Sequence, residues 1–312
     1  MIHLFWLLVI GALLLVFVVI PGALIWWTSR KIPEDAGRRR FLKKAALYPV
    51  GLVTAGSYGS GYERCHTVDH RYRLSAAPGA FPAGYRLAQI SDVHLGNFFS
   101  VEDLQRLLER IAADGPDMLA ITGDLFDDET QNPAAAKLLD TYVDRFPDGI
   151  WYCLGNHEHF RGVAQIKSLL AATRVHALYN QAEQVPGKSF WVAGTDHPMI
   201  RETEKFRQLK EEYFARTIED IPEKERKSTI VLAHHPEFID DSAAAGIPLT
   251  LTGHTHGSQF GIFGMPLFPV FKYTRGMVRI GDSYGYVHVG NGSWFPCRIG
   301  CPPEVAYFEF RG

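Results

Sequence analysis

His254 and His256 stand two residues apart in Gly253-His254-Thr255-His256-Gly257, just after the apolar run Leu249-Thr250-Leu251-Thr252. In an extended chain, residues i and i+2 project to the same side, so both imidazoles can face one pocket. The flanking glycines permit a sharp turn and leave room for a ligand to approach. Imidazole is the commonest metal ligand and the commonest acid or base near neutral pH. The chemistry on offer is therefore metal binding or proton transfer, and the bland alternative is a solvated pair in a strand-end loop. Seven of the 13 histidines fall in four short islands, at 94, 157 and 159, 234 and 235, and 254 and 256. Such clustering favours a metal or catalytic site over scattered surface histidines.

Those islands need a scaffold, and from Tyr85 the chain reads as strand, turn and helix in repetition. Residues 85–90 form a strand ending in Ser91-Asp92-Val93-His94. Ser100 and Asp103 make a capping box for a helix whose inner face is Val101, Leu104, Leu107, Leu108 and Ile111. Residues 118–122 are a buried strand ending in Gly123-Asp124-Leu125-Phe126-Asp127. Asn132-Pro133 reads as N-cap and first position of a helix to about residue 144. A strand at 150–154 ends in Gly155-Asn156-His157-Glu158, and one at 229–233 ends in His234-His235-Pro236. Five polar islands thus follow the carboxyl ends of short apolar strands, where α/β sheets place their ligand sites.

Asp92, His94, Asp124, Asn156, His234, His254 and His256 make a mixed oxygen and nitrogen set without a thiolate, which argues against a structural zinc site. Seven ligands are too many for one tetrahedral ion but suit two ions sharing a carboxylate. Two such ions clamp the attacking and leaving oxygens of a phosphoryl displacement.

The order D-x-H, G-D-x-x-D, G-N-H-E, H-x-P, G-H-x-H, spanning Asp92 to His256, resembles the calcineurin-like metallophosphoesterases. The resemblance implies a four-layer α/β/β/α sandwich with a dinuclear centre. It implies that Asp92, His94 and His256 hold one ion, that Asn156, His234 and His254 hold the other, and that Asp124 bridges them. His157 is implied as the general acid for the leaving group. His235 and His159 lie off the pattern, and His235 reads as a supporting or solvated neighbour. The two divalent ions are expected to be manganese, with iron, zinc or nickel as alternatives, because His and carboxylate sites accept all four.

Departures from the pattern narrow the substrate. The protein-phosphatase branch carries arginines where this chain has Asp128 and Leu154. Neither can supply a charge-assisted fork for a dianionic monoester, which favours a diester or diphosphate. Residues 261–271, Gly-Ile-Phe-Gly-Met-Pro-Leu-Phe-Pro-Val-Phe, adjoin the metal histidines. They read either as a buried hairpin or loop or as an apolar wall for acyl chains. Together with Arg298-Ile299-Gly300-Cys301-Pro302-Pro303-Glu304, the pattern resembles the membrane-anchored bacterial phosphodiesterase branch, which includes UDP-diacylglucosamine diphosphatases.

The amino-terminal end points the same way. Residues 4–28 contain no charge. As helix, the stretch to Trp27 would span roughly 36 Å, against a hydrocarbon core of about 30 Å. Trp26 and Trp27 sit where an interfacial belt belongs, and Arg30, Lys31, Arg38, Arg39, Arg40, Lys43 and Lys44 follow. The expectation is a transmembrane anchor at 1–28, a basic juxtamembrane segment and linker at 29–84, and the catalytic domain at 85–312. Arg38-Arg39-Arg40-Phe41-Leu42-Lys43 also resembles a twin-arginine export signal, followed by an uncharged run at 45–62. Two topologies remain open. A cytoplasmic domain on a bacterial inner membrane suits a nucleotide-linked substrate, and a run at 45–62 that crosses back would put the domain outside.

The net charge of −2 over 312 residues gives no case for nucleic acid. Four cysteines are too few for a disulfide scaffold. Cys297 and Cys301 read as free thiols, with a local disulfide as the alternative. The leading function is an anchored, metal-dependent phosphodiesterase or diphosphatase for a small-molecule or lipid-linked phosphoester. The others are an exported phosphatase of soluble esters and a non-catalytic binding module on the same fold, which would be expected to lose ligands or the acid.

Overall fold

The computed structural model describes residues 11–12, 15–32, 36–45, 47–293 and 295–311. The chain forms two compact units, Met1–Gly59 and Ser60–Gly312.

In the first unit, a π-helical turn at Leu15–Val19 precedes helix α1 (Ile20–Lys31), followed by α2 (Ala36–Ala45) and α3 (Leu47–Gly61). The apolar side chains of Leu15 to Ile20, Leu24, Trp26 and Trp27 are exposed. Arg30 lies 3.9 Å from the Trp26 ring centre and Lys31 lies 3.6 Å from that of Trp27. No helix among the described residues is long and apolar enough to cross a membrane. Residues 1–10, 13 and 14 of the expected anchor lie outside the described residues. The twin-arginine-like residues 38–43 are part of α2, and most of the uncharged run is α3.

The second unit is built on two six-stranded mixed sheets. The first has the order β1 (Val68–Ser75), β14 (Glu304–Arg311), β2 (Arg86–Ile90), β3 (Met118–Thr122), β4 (Ile150–Cys153), β5 (His176–Leu178). The second has the order β12 (Gly276–Ile280), β13 (Ser283–Val287), β9 (Leu249–Thr252), β8 (Thr229–Leu232), β7 (Trp191–Gly194), β6 (Gln181–Gln184). Strands β2, β3 and β4 are parallel neighbours, as are β7, β8, β9 and β13. A further two-stranded hairpin is β10 (Gly261–Ile262) with β11 (Met265–Pro266).

Burial on both faces explains why the central strands, such as β3, β4 and β8, read as largely apolar runs. On β3, Leu119 and Ile121 face helices α4 (Val101–Asp114), α5 (Asn132–Tyr142) and α7 (Val163–Ala171), while Met118 and Ala120 face the other sheet. Between the sheets, Leu87, Trp151 and Phe308 pack on Val192, Leu232, Leu251 and Tyr286. Outside the second sheet, Phe214 of α8 (Thr203–Thr217) and Phe238 of α9 (Phe238–Ala244) cover Ala193, Val231 and Ala233. The layers are therefore helix, sheet, sheet, helix. Each fully buried Leu, Ile or Phe in them is worth about 1.5–3 kcal/mol.

Three sequence expectations change in detail. The capping box at Ser100 and Asp103 is formed, but α5 begins at Asn132 with Gln131 as its N-cap and ends at Tyr142. A one-turn helix, α6 (Asn156–Phe160), follows β4, so Asn156-His157-Glu158, read only as the end of a strand, is helical. The stretch 29–84, expected as linker, supplies strand β1, and the folded unit starts at Ser60 rather than Tyr85. Strand β1 pairs in parallel with β14, and its Tyr72 and Leu74 enter the layer between the sheets.

Candidate metal centre

Each island sits where its strand stops. Asp92 and His94 follow β2, Asp124 follows β3, Asn156 opens α6 after β4, His234 follows β8, and His254 and His256 follow β9. Parallel order within each sheet puts these carboxyl ends side by side. A cross-link holds the two sheets in step there, with the buried Gln89 amide donating to Thr122 Oγ1 and Thr252 O, both at 2.9 Å. Five of the seven side chains hang from left-handed backbone: Asp92 (φ 50°), His94 (49°), Asp124 (52°), His254 (72°) and His256 (49°). A non-glycine residue held there costs on the order of 1–3 kcal/mol, and such strain gathers at functional sites. Glycines make the close approaches possible. A Cβ on Gly253 would strike Ser91 Oγ and Asp92 Oδ2, and one on Gly155 would strike Asp124 Oδ1.

The structure brings all seven side chains together in two overlapping groups. Asp92, His94 and His256 form one, with His94 Nε2 3.0 Å from His256 Nε2 and His256 Nε2 3.5 Å from Asp92 Oδ1. Asp124, His234 and His254 form the other, with His234 Nε2 3.1 Å from Asp124 Oδ2 and 3.3 Å from His254 Nδ1. Asn156 Oδ1 joins the second group, 2.9 Å from His254 Nδ1 and 3.2 Å from His234 Nε2. Asp124 Oδ2 also lies 3.7 Å from His94 Nε2, so this carboxylate touches both groups.

The donor set suits divalent cations. His94 Nδ1 donates to the Asp127 carboxylate (3.0 Å) and His234 Nδ1 donates to the Thr122 carbonyl (2.7 Å). These acceptor-only partners turn Nε2 of both rings inward, the arrangement that orients metal-ligating histidines. Burial, reinforced by the neighbouring His234, takes His254 down to about 3. Burial, with His94 and Arg298 nearby, takes His256 well below its ordinary value, so both rings keep their lone pairs. Burial works against the charged form of His234, yet Asp124 and Asp92 push it up to about 10. Burial likewise opposes ionisation of Asp124, but His234 and His94 hold it well below the usual carboxylate range. Carboxylates that favour a proton on His234 would favour a cation in its place.

His157 stands beside this cluster. Its backbone N–H donates to Asp124 Oδ1 (2.8 Å) and its Nδ1 donates to Asp127 Oδ1 (2.9 Å). Burial acts against its charged form, but the hydrogen bond to Asp127 and the charge of Asp124 raise its pKa overall. Its ring is therefore oriented and inclined to carry a proton, as a general acid must be. Asp127 is the hub, because its other oxygen takes His94 and its Oδ1 also accepts from Arg161 Nε at 2.7 Å.

Sequence reasoning missed several supports. Glu158 is fully buried and accepts from the backbone N–H groups of Asp124, Leu125, Phe126 and Gly155 and from Tyr152 Oη. It thereby locks the turn after β3 to α6. Asn291, after β13, accepts from Ser91 N at 3.0 Å, and the buried Arg298 guanidinium gathers the carbonyls of Val289, Gly292 and Cys301. His197, after β7, is buried among His234, His235 and His254. His235 is buried too, packed against Phe206 and Phe271 rather than solvated. His159 donates to Asp196 at 2.6 Å and belongs to neither ligand group. Residues 261–266 form a hairpin and 267–270 a loop after it, and neither is the buried segment expected. Ile262, Phe263, Met265, Leu267, Phe268 and Val270 are exposed, Phe263 to 96% and Val270 to 82%. All four cysteines are free, with Cys297 and Cys301 buried.

The family model for calcineurin-like phosphoesterases matches residues 85–258. The chain is 30% identical over 296 residues to YkuE, an uncharacterized metallophosphoesterase of Bacillus subtilis, covering 89% of this chain and 99% of that one. It is 27% identical over 293 residues to the phosphodiesterase YaeI of Escherichia coli, covering 87% and 98%. It is 29% identical over 240 residues to the uncharacterized metallophosphoesterase Cj0846 of Campylobacter jejuni, covering 73% of this chain but only 59% of that one. With two overlapping ligand groups at the strand ends and a family match over residues 85–258, the chain belongs to the calcineurin-like phosphoesterase family.

Proposed function

We propose that this protein is a membrane-anchored phosphodiesterase or diphosphatase that uses two divalent ions, manganese foremost, on a lipid-linked substrate such as UDP-diacylglucosamine. The observation that carries the hydrolase reading is the convergence of Asp92, His94, Asp124, Asn156, His234, His254 and His256, five of them on strained backbone. In this reading Asp92, His94 and His256 hold one ion, Asn156, His234 and His254 the other, and Asp124 both. The ions would supply an activated water and neutralise charge on the phosphoryl oxygens. His157 gives its proton to the leaving oxygen, with Asp127 keeping the ring in place.

Three features support the finer statements. Asp128 and Leu154 replace the arginines that grip monoesters, and the relative YaeI bears the name phosphodiesterase. The exposed hairpin side chains, six residues and more past His256, offer an apolar surface for acyl chains. The uncharged run at 4–28 with its following arginines and lysines supports anchoring in a bacterial inner membrane, with the domain in the cytoplasm where nucleotide-linked substrates are made. The arginines at 38–40, ahead of the uncharged helix α3, favour export and soluble esters as a second reading.

A hydrolysis screen with and without Mn²⁺ tests the proposal. Manganese-dependent cleavage of UDP-diacylglucosamine and of bis-nitrophenyl phosphate is expected, with a phosphoserine peptide left intact. Cleavage of the peptide alone would overturn it, and cleavage of the diester without the lipid substrate would select the second reading.

A further inference from the structure

Arg161 falls outside every motif the sequence presents, yet it reaches the centre. It caps the carboxyl end of α6, and its N–H donates to the His157 carbonyl. His157 and Arg161 are therefore one helical turn apart and share a face. Both donate to the same oxygen, Asp127 Oδ1, from Nδ1 at 2.9 Å and from Nε at 2.7 Å. That bond uses only Nε. The Arg161 side chain is 40% exposed, and among the described residues no other side-chain bond ties it down. The fork of its two terminal nitrogens is thus available to a ligand, with its orientation set by Asp127.

Position decides which part of a substrate it would meet. Arg161 is joined through Asp127 to the residue assigned to protonate the leaving oxygen, so it serves the leaving-group side. A phenol or alcohol leaving there carries one oxygen, and the acid suffices. A phosphate leaving there carries further anionic oxygens, which a planar guanidinium can pair with two at a time. Lys167 and Lys210 do not compete for this place, since they are paired with Asp196 and Asp241.

We propose that Arg161 binds the leaving phosphate of a diphosphate substrate and makes the enzyme prefer P–O–P over simple diester bonds. The inference rests on the hydrolase reading above and deepens it. In the step, the bond from the attacked phosphorus to the bridging oxygen breaks. That oxygen keeps the electron pair and takes the proton of His157, while water supplies the new P–O bond and releases its own proton to solvent. Arg161 pairs with the remaining oxygens of the departing phosphate throughout.

The full-length Arg161→Ala and Arg161→Lys chains, loaded with Mn²⁺, test this on UDP-diacylglucosamine and bis-nitrophenyl phosphate. Loss of a charged hydrogen bond predicts a fall in kcat/KM of about 10–150-fold on the diphosphate. The diester should lose at least tenfold less than the diphosphate, and added guanidinium should restore part of the diphosphate loss in Arg161→Ala. If Arg161 merely props Asp127 and His157, both substrates will lose rate alike, and that result overturns the proposal. Calorimetric titration with inorganic diphosphate and inorganic phosphate needs no turnover and separates this failure from failure of the hydrolase reading. Arg161→Ala should weaken diphosphate at least tenfold more than phosphate, and equal weakening contradicts the assignment even if neither substrate is cleaved.

Discussion

Asp127 shows how one carboxylate can organise a site without facing its ligand. It holds the ring of His94 from one oxygen, and the ring of His157 and the guanidinium of Arg161 from the other. Burial opposes its ionisation, but the hydrogen bonds of His157 and His94 keep it firmly ionised. Removing such an outer partner typically lowers metal affinity or activity by about 10–100-fold. Asp127→Ala should show a loss of that size, read as turnover at saturating Mn²⁺ together with a raised metal requirement. An unchanged metal requirement would mean that His94 needs no orientation. His157→Ala should retain its metal and lose about 10²–10⁴-fold in turnover, the scale of general-acid loss. Full turnover of that variant on a poor leaving group would remove His157 from the acid role. The side chains that meet were legible one by one, since each ends an apolar strand in a spaced motif. The hub was not. Its second aspartate was visible in G-D-x-x-D, but its partners lie 30 to 34 residues away, and nothing local to Asp127 points to them.

At the scale of elements, strand ends and the turns after them do the positioning. The short runs of β3, β4, β8 and β9 were readable because burial on both faces admits no charged residue, only apolar side chains with Thr122, Thr229, Thr250 and Thr252 among them. Helix α6 was not readable, for five residues are too short for a periodic pattern and its fold depends on Glu158 reaching back to β3. Glu158→Ala would leave four backbone donors and the Tyr152 hydroxyl without their acceptor. At about 1–3 kcal/mol for each buried group left unpaired, a loss above about 3 kcal/mol is expected in denaturant unfolding of the folded unit. A loss below about 1 kcal/mol would mean that water replaces the carboxylate. Gly253→Ala places a methyl group against Ser91 and Asp92. It should cost about 1–3 kcal/mol as overpacking and weaken metal binding with it, because the crowded carboxylate is a ligand candidate. Retained stability and metal affinity together would show that the turn can open.

The unit from Ser60 to Gly312 is organised around the seam where two mixed sheets end side by side. The site at that seam was readable from five polar islands that each follow a short strand, and the layered sandwich was implied by the family resemblance of their order. Its outer boundary was not readable. Strand β1 alternates histidine, tyrosine, arginines and leucine at an edge, with little apolar signal, and its partner β14 is more than 200 residues away. A chain beginning at residue 60 should therefore fold and keep hydrolysing bis-nitrophenyl phosphate, and loss of that activity would show that the first unit is needed. One beginning at residue 85 loses the buried Leu74 and half-buried Tyr72, about 1.5–3 kcal/mol for each fully buried large side chain, and uncovers the edge of β14. It should be less stable in thermal unfolding, and equal stability would show β1 to be dispensable. In the proposed centre, one carboxylate, Asp124, ties two cations together. Metal analysis of the full chain and of Asp124→Asn, with hydrolysis measured on the same samples, tests it most directly. The unaltered chain should carry about two divalent ions and Asp124→Asn should lose metal and activity together. Two ions retained by Asp124→Asn would contradict the bridging role.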